Sequence, residues 1–253
     1  MLSPTSCERA FLGTVLHTPV RGQLEALRDA LIVVGGDGVI KAIHRREAAQ
    51  SEQEARRFAA RDELITLGSD QYLLPGLVDL HVHAPQWPQL GKALDLPLEQ
   101  WLQAYTFPLE SRYADPAYAQ TVYESLVHGL LANGTTTALY FGTIHLPATQ
   151  ILADICLRRS QRALIGRVAM DDPEQCPAYY RDASAAVAEA ETRAFISYVQ
   201  SMPGNQAGLV KPVITPRFIP SCSDELLSRL GALARETGCH VQTHCSEIGR
   251  AHV

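Results

Sequence analysis

The stretch YLLPGLVDLHVH, residues 72–83, is an apolar run that ends in two histidines. Its composition predicts one buried β-strand. Side chains at positions i and i+2 of a strand point the same way, so His81 and His83 project side by side at its carboxyl end. Two neutral imidazoles there would make half of a site for Zn²⁺ or a similar ion. The competing interpretation is a pair of core or surface histidines.

Four further strands follow this one, and helical patterns separate them. The predicted strands are TTTALYF (135–141), ALIGRVAMD (163–171), VKPVITPRF (210–218) and CHVQTHCS (239–246). The predicted helices cover 115–134 with Gly134 as its stop, 148–161, 182–202, and 223–238 with Ser223 as N-cap and Gly238 as stop. Alternating strands and helices predict parallel pairing. The α/β class follows, as the first five units of a (β/α)₈ barrel or as a doubly wound sheet.

The segment before residue 71 has a different sequence pattern. FLGTVLHTP (11–19) is short and β-branched, and DALIVVGGDGVIKAIH (29–44) holds two apolar runs around a glycine-rich turn, which predicts a hairpin. A polar, alanine-rich stretch (46–63) is interpreted as a helix or a loose connection. We therefore expect a small β module over residues 1–70.

Composition narrows the class of protein. The chain has 253 residues, 46% of them apolar and 19% charged, with a net charge of -5, which is typical of a globular protein and does not indicate a nucleic-acid surface. No apolar segment approaches the roughly 20 residues of a membrane span, and the N-terminus lacks the pattern of a signal peptide. The six cysteines are scattered, so reduced thiols in a cytoplasmic protein are expected. The absence of C-x-x-C excludes the cytidine-type deaminase signature.

Further polar residues stand at or beyond the predicted strand ends. His244 ends the fifth strand and is a candidate third metal ligand, and Glu247 lies where a proton shuttle would reach a metal-bound water. Arg217 and Phe218 end the fourth strand, where a guanidinium can donate to a carbonyl or ring nitrogen and a phenyl ring can stack on a flat ligand. Each has an ordinary structural alternative, such as a surface ion pair or a core ring.

Three more residues are candidates for the mouth of the same site. Gln86 and Trp87 follow the histidine pair in a loop, where an amide can pair with a purine edge through one donor and one acceptor. His145 follows the second strand. These positions extend the predicted site from a metal centre to a pocket for a ring-shaped ligand.

Together these motifs resemble the amidohydrolase superfamily and, within it, the guanine deaminases. The similar segments are PGLVDLHVHAPQ, LDLPLEQWLQAYTFPLE, NGTTTALYFGTIH, VKPVITPRF and HVQTHCSE, in that order. The resemblance covers about residues 72–247. It implies that residues 71–247 form the first part of the amidohydrolase (β/α)₈ barrel, and that residues 1–70 form part of a composite β-sandwich beside it.

The resemblance also implies a reaction. One zinc ion, with iron as an alternative, would be held by His81, His83 and His244, and would activate water for attack on C2 of guanine, which yields xanthine and ammonia. Glu247 would be the catalytic proton shuttle. The substrate-binding residues would be Gln86, Trp87, Arg217 and Phe218. A cytoplasmic homodimer without nucleic-acid or membrane partners is expected of the full-length protein.

The end of the sequence departs from this pattern. The resemblance implies a histidine on a sixth strand and an aspartate on an eighth strand, and these 253 residues contain neither strand, so we expect a C-terminal truncation and a fragment without useful activity. EIGRAHV (247–253) can be encoded by a string that resembles a sequencing adaptor, so residues 248–253 are expected to be a non-native tail, with the Glu247 codon only partly native. Two alternatives stay open: a deaminase of a related aminated heterocycle, and a non-enzymatic barrel homologue.

Overall fold

The first of the two units into which the chain divides ends at Pro75, and the second begins at Gly76. The computed structural model describes residues 8–245. The elements of the first unit are β1 (Arg9–Val20), β2 (Gln23–Val34), β3 (Ile40–His44), α1 (Ala49–Ala59), β4 (Leu64–Thr66) and β5 (Tyr72–Leu73). Strands β1, β2 and β3 form an antiparallel meander, and β4 and β5 pair parallel with β1.

The hairpin predicted around the glycine-rich turn is confirmed as the β2–β3 pair. Its turn is closed by the Gly35 amide, which donates to the Val39 carbonyl at 2.9 Å, and Gly38 adopts a positive φ of 76°. The sequence did not reveal the longer β1–β2 hairpin, because its turn at Arg21 and Gly22 lacks the usual Asn-Gly or Asp-Gly signal. The assignment of residues 1–70 to a composite β-sandwich stays a prediction.

The second unit contains all the elements that position the predicted site. They are β6 (Leu77–His83), α2 (Leu98–Trp101), α3 (Phe107–Ser111), α4 (Pro116–Ala132), β7 (Thr135–Phe141), α5 (Leu146–Arg158), β8 (Arg162–Gly166), β9 (Val168–Ala169), α6 (Ala185–Ser201), β10 (Val210–Pro216), α7 (Asp224–Thr237) and β11 (His240–Val241). A π-helical turn, Leu102–Thr106, joins α2 to α3, and a 3₁₀ turn, Ala84–Gln89, follows β6.

The sheet of the second unit has its strands in chain order: β6, β7, β8, β10 and β11, with β9 also paired to β10. All the pairs are parallel, and a helix lies between each strand and the next in the path. A doubly wound sheet would reverse its strand order at a switch point. The consecutive order is instead that of a (β/α) barrel, which confirms the predicted class and decides between its two alternatives.

The sheet is curved, because groups from distant strands meet. Gln242, just after β11, donates its side-chain amide to the Tyr140 carbonyl of β7 at 2.8 Å and to the Thr215 hydroxyl of β10 at 2.9 Å. On the helical side, the largest apolar cluster combines side chains of α4, α5 and α6 with those of β7 and β8. These contacts hold the strand ends around a common centre.

The start of α7 and the ends of α4 and α7 lie where local chemistry predicts. Ser223 accepts a hydrogen bond from the Leu226 amide at 3.1 Å, and α7 stops at Gly238, which has the left-handed conformation with φ of 66°. Gly134 follows α4 and also has a positive φ, of 87°. The predicted caps and stops at these three positions are confirmed.

The strand predicted over residues 72–83 is wrong in two respects. It is two strands, β5 and β6, because Pro75 has no amide to donate and Gly76 lies so close to the next strand that a Cβ there would be 1.9 Å from the Thr136 hydroxyl. Nor is β6 buried. It is an edge strand of the described sheet, paired only with β7, and Leu80 is 64% exposed.

Two other predicted strands are shorter or interrupted. The third breaks at Arg167, whose guanidinium turns inward to the buried carboxylate of Asp182, so β8 and β9 are separate. The fifth keeps only His240 and Val241 as regular strand, although Phe218 and His244 form an isolated parallel bridge beyond it. None of the helices described within residues 8–245 combines the length and the hydropathy of a membrane-spanning segment.

Candidate metal centre and pocket

Three histidines meet where β6 ends and where the chain continues beyond β11. The nitrogens that His81, His83 and His244 can offer to an ion all lie within 4.8 Å of one another. His83 Nε2 and His244 Nε2 are 2.9 Å apart, although β6 and β11 are the first and last strands of the sheet path. The curvature of the sheet therefore brings together candidate ligands that are 161 positions apart in the chain.

A hydrogen bond to the backbone orients the ring of His244. Its Nδ1 lies 2.6 Å from the Arg217 carbonyl oxygen. Because a carbonyl only accepts, Nδ1 carries a hydrogen and donates it, and Nε2 is the nitrogen that faces His83. A backbone carbonyl that orients a ligating imidazole in this way is a common companion of metal sites.

The electrostatic surroundings keep His83 neutral. Burial by the surrounding protein, and then the positive charge of Arg217 and the neighbouring imidazoles, hold the pKa of His83 well below its usual range. A metal ion needs the deprotonated ring nitrogen, so this environment favours the ligand form at neutral pH. Three imidazole nitrogens converge within a few ångströms, and this donor set suits zinc and related ions.

A buried phenyl ring lies beneath the three imidazoles. The ring of Phe141 stacks on His83 with centroids 4.7 Å apart, and its centroid lies 4.5 Å from that of His244 and 5.2 Å from that of His81. Phe141 ends β7 and is the register partner of His83. The pairing of β6 with β7 therefore explains why this ring lies beside the histidines, which the spacing of residues in the sequence does not indicate. The Phe141 ring limits how far the three imidazoles can rotate.

A cavity of about 240 Å³ opens beside the histidines. It is lined by His81, His83, Gln86, Leu98, Trp101, Leu102, Arg217, Phe218 and His244. Three of the four predicted substrate-binding residues therefore lie together at the cavity with the three predicted metal ligands. Trp101 was not expected there; its indole Nε1 donates to the Lys92 carbonyl at 3.1 Å.

Trp87 does not lie with the other predicted residues. Its indole packs against α4, where Nε1 donates to the Ser125 hydroxyl at 3.2 Å and the ring lies over Gly129. Within Ala84–Gln89 the 3₁₀ turn sends Gln86 to the cavity and Trp87 to the helix layer. The substrate-contact role expected for Trp87 is therefore not supported by its place in the structure.

A buried ion pair supports the polar wall of the cavity. Arg217 Nη1 donates to Glu110 Oε2 at 2.6 Å, and both side chains are almost fully buried, at 3% and 1% exposed. Burial alone opposes the charge, but the Glu110 carboxylate outweighs it and raises the pKa of Arg217 above its usual value. Sequence reasoning missed Glu110, because nothing local connects two residues that are 107 positions apart.

His145 is the residue immediately before α5, and it does not line the cavity of about 240 Å³. Its Nε2 is buried and has no hydrogen-bond partner among residues 8–245, and burial and nearby Arg167 lower the pKa of the ring. Glu247, the predicted proton shuttle, lies outside the described residues.

The curved parallel sheet, with helices between the strands of its path, is the architecture of a (β/α) barrel. The three imidazoles at the carboxyl strand ends form a candidate metal centre. The sequence model of the Amidohydrolase family matches residues 72–252. The chain belongs to the amidohydrolase family, which is typically metal-dependent.

Relatives with assigned activities are similar over nearly the whole chain. It is 38% identical to a guanine deaminase of Dictyostelium discoideum, over 98% of this chain and 55% of that protein. It is 39% identical to the guanine deaminase of Homo sapiens, over 94% of this chain and 51% of that protein. The crystal structure of guanine deaminase from C. acetobutylicum with bound guanine in the active site superimposes with a TM-score of 0.83 at 31% identity, over 95% of this chain and 53% of that one. The chain thus spans about half the length of these relatives.

Proposed function

We propose that the protein to which this chain corresponds hydrolyses guanine to xanthine and ammonia at the histidine cluster. The observation that carries the proposal is the meeting of three imidazoles with Gln86, Arg217 and Phe218 around one cavity. The similarity to guanine deaminases supports guanine as the substrate. The reaction adds one water to the ring and releases the 2-amino group as ammonia.

Each residue at the cavity has a distinct task in this proposal. His81, His83 and His244 would hold one zinc ion, which when bound supplies Lewis acidity that lowers the pKa of water toward about 7. Iron is the alternative ion. The guanidinium of Arg217 and the amide of Gln86 would hydrogen-bond the polar edge of the base, and Phe218 would cover a face of the ring. Glu247 would take a proton from the attacking water and deliver it to the ring.

The proposed assay uses the protein encoded by the complete gene, with the 253-residue chain beside it. Each of the two proteins would be incubated separately with guanine, adenine and cytosine, and ammonia release and xanthine absorbance would be followed. We expect strong preference for guanine, loss of turnover with a chelator, recovery with zinc, and no useful turnover by the 253-residue chain. A complete protein that binds no metal and releases no ammonia from guanine would refute the proposal.

The assembly state of the complete protein is also a proposal. A homodimer is expected from the resemblance to guanine deaminases. Light scattering after size-exclusion chromatography would measure the mass directly, and a monomer across micromolar concentrations would contradict this expectation.

A further inference from the structure

One buried carboxylate serves both polar side chains of the cavity wall. Glu110 Oε2 accepts from Arg217 Nη1 at 2.6 Å, and Oε1 accepts from Arg217 Nη2 at 3.3 Å and from Gln86 Nε2 at 2.9 Å. Arg217 and Gln86 line the cavity, whereas Glu110 lies behind them on α3. Glu110 therefore joins the two groups that face a ligand without being at the cavity surface itself.

The surroundings of this network make it rigid. Glu110 is fully buried, and the guanidinium carbon of Arg217 lies 5.1 Å from the centroid of the buried Phe107 ring. Phe107 belongs to an apolar cluster that also includes Phe141 and Tyr180. In such a setting a guanidinium that turned away would leave a buried, uncompensated carboxylate, which is strongly unfavourable. The orientation of Arg217 is thus determined before any ligand arrives.

The same carboxylate determines which way the Gln86 amide faces. A carboxylate only accepts hydrogen bonds, so Gln86 must turn its nitrogen toward Glu110, and its carbonyl oxygen is directed away from it. Arg217 carries only donors, and its contacts with Glu110 leave other N–H groups available. The wall can therefore offer a ligand an acceptor from Gln86 beside donors from Arg217.

We propose that Glu110 is a positioning residue that sets this acceptor–donor pattern and thereby selects the lactam edge of a purine. The lactam edge of guanine presents an N1–H donor beside a C6 carbonyl acceptor. Adenine presents the reverse, an acceptor at N1 beside a donor at its 6-amino group, and it would leave groups on the protein unpaired, which is how polar sites reject an analogue. This inference rests on the proposed deamination of guanine and adds how the substrate is chosen.

The test is Glu110→Gln in the protein encoded by the complete gene. The variant keeps the shape but removes the charge, so Arg217 and Gln86 lose their fixed orientation. We expect kcat/KM for guanine to fall about 100-fold, the loss typical of a misplaced binding group. The inhibition constant of 2-aminopurine, which lacks the lactam edge, should change by less than about twofold, the margin within which independent effects usually add. Bound zinc should stay equal to that of the unsubstituted protein.

The matched control is Asp182→Asn. Asp182 and Arg167 form another ion pair that is almost fully buried, and neither lines the cavity of about 240 Å³. This variant should lower the thermal midpoint but leave the ratio of guanine to 2-aminopurine affinity unchanged. If Glu110→Gln does not fold, Glu110→Asp keeps the charge and shifts it by one methylene, and it should show a smaller loss with the same selectivity for guanine.

Four outcomes would overturn the inference. Equal loss of affinity for guanine and 2-aminopurine, or loss of zinc from Glu110→Gln, would reduce Glu110 to a structural partner. Unchanged guanine kinetics in that variant would remove its role altogether. An unsubstituted protein without guanine turnover would refute the proposed function, and this inference with it, before any variant is compared.

Discussion

At the scale of single residues, the character of the site depends on which nitrogen atoms keep a lone pair. The Arg217 carbonyl binds His244 Nδ1, and the protein around His83 opposes its protonation. The first effect turns His244 Nε2 toward His83 Nε2, 2.9 Å away, and the second favours the neutral ring that a metal ion needs. The spacing of His81 and His83 predicted half of this cluster, but the carbonyl and the Phe141 ring became visible only in three dimensions.

Replacing a cluster histidine should remove the metal. For His83→Asn in the protein encoded by the complete gene, we expect zinc affinity to fall by more than about 100-fold, since even the loss of an outer partner of a ligand costs 10–100-fold. Competition with a chromophoric chelator would measure the affinity. His128→Asn, at an exposed position of α4, is the control and should bind zinc normally. Full zinc affinity in His83→Asn would rule out the proposed ligand set.

The partly buried imidazole of His145 should make the free energy of unfolding depend on pH. Its pKa is lowered in the folded chain, so below the unfolded value of about 6.5 the unfolded chain binds a proton that the folded chain does not. The stabilisation is therefore present above about pH 6.5 and is lost as the pH falls toward the folded-state pKa. Urea unfolding of His145→Gln and of the exposed control His128→Gln at pH 7 and pH 5 would test this. We expect a smaller drop in His145→Gln; identical drops would contradict it.

At the scale of elements, local signals predicted helix ends better than strand limits. Ser223, Gly238 and Gly134 act through their own backbone neighbours, so the sequence contains the whole cause. A strand's burial and length depend on what lies beside it, so the apolar run of β6 did not reveal an exposed edge. Glu110 was missed for the same reason, because its partners come from other segments.

The two serine caps should differ in strength. Ser223 accepts from the Leu226 amide and also donates to the Asp171 carboxylate at 2.7 Å, whereas the Ser184 hydroxyl accepts from the Val187 amide at 3.3 Å and has no carboxylate partner among residues 8–245. Replacing a serine cap by alanine costs about 1 kcal/mol, and a hydrogen bond to a charged group adds about 1.5–3 kcal/mol. Ser223→Ala should therefore lower the free energy of unfolding more than Ser184→Ala does, as measured by urea titration. Equal effects would show that the Asp171 contact adds nothing.

At the scale of the whole molecule, the order of the strands decides the fold. Five parallel strands in chain order, joined through helices, curve until candidate ligands from the first strand and from the segment after the last strand meet. The alternation of strands and helices predicted the class, but only the strand order distinguished the barrel from the doubly wound sheet. The edges of the described sheet carry exposed apolar side chains, among them Val78, Leu80 and Val241.

These edges should make the 253-residue chain self-associate. Exposed apolar edge strands are templates for pairing with other chains, and charged side chains there oppose it. Light scattering should show a mass above the monomer at micromolar concentrations, and Val78→Lys with Leu80→Lys should reduce it. Leu24→Lys, on β2 of the first unit and 72% exposed, is the control and should have little effect. A monomer at all concentrations would contradict the prediction.

The placement of the two tryptophans has a practical consequence. The chain contains only these two, and Trp101 lines the cavity while Trp87 packs on α4. The substitution Trp87→Phe would leave Trp101 as the one fluorescent indole, on the wall of the cavity. Its fluorescence would then report the arrival of a purine or a metal ion in real time, so equilibrium affinities and association rates become accessible even in variants that turn over nothing.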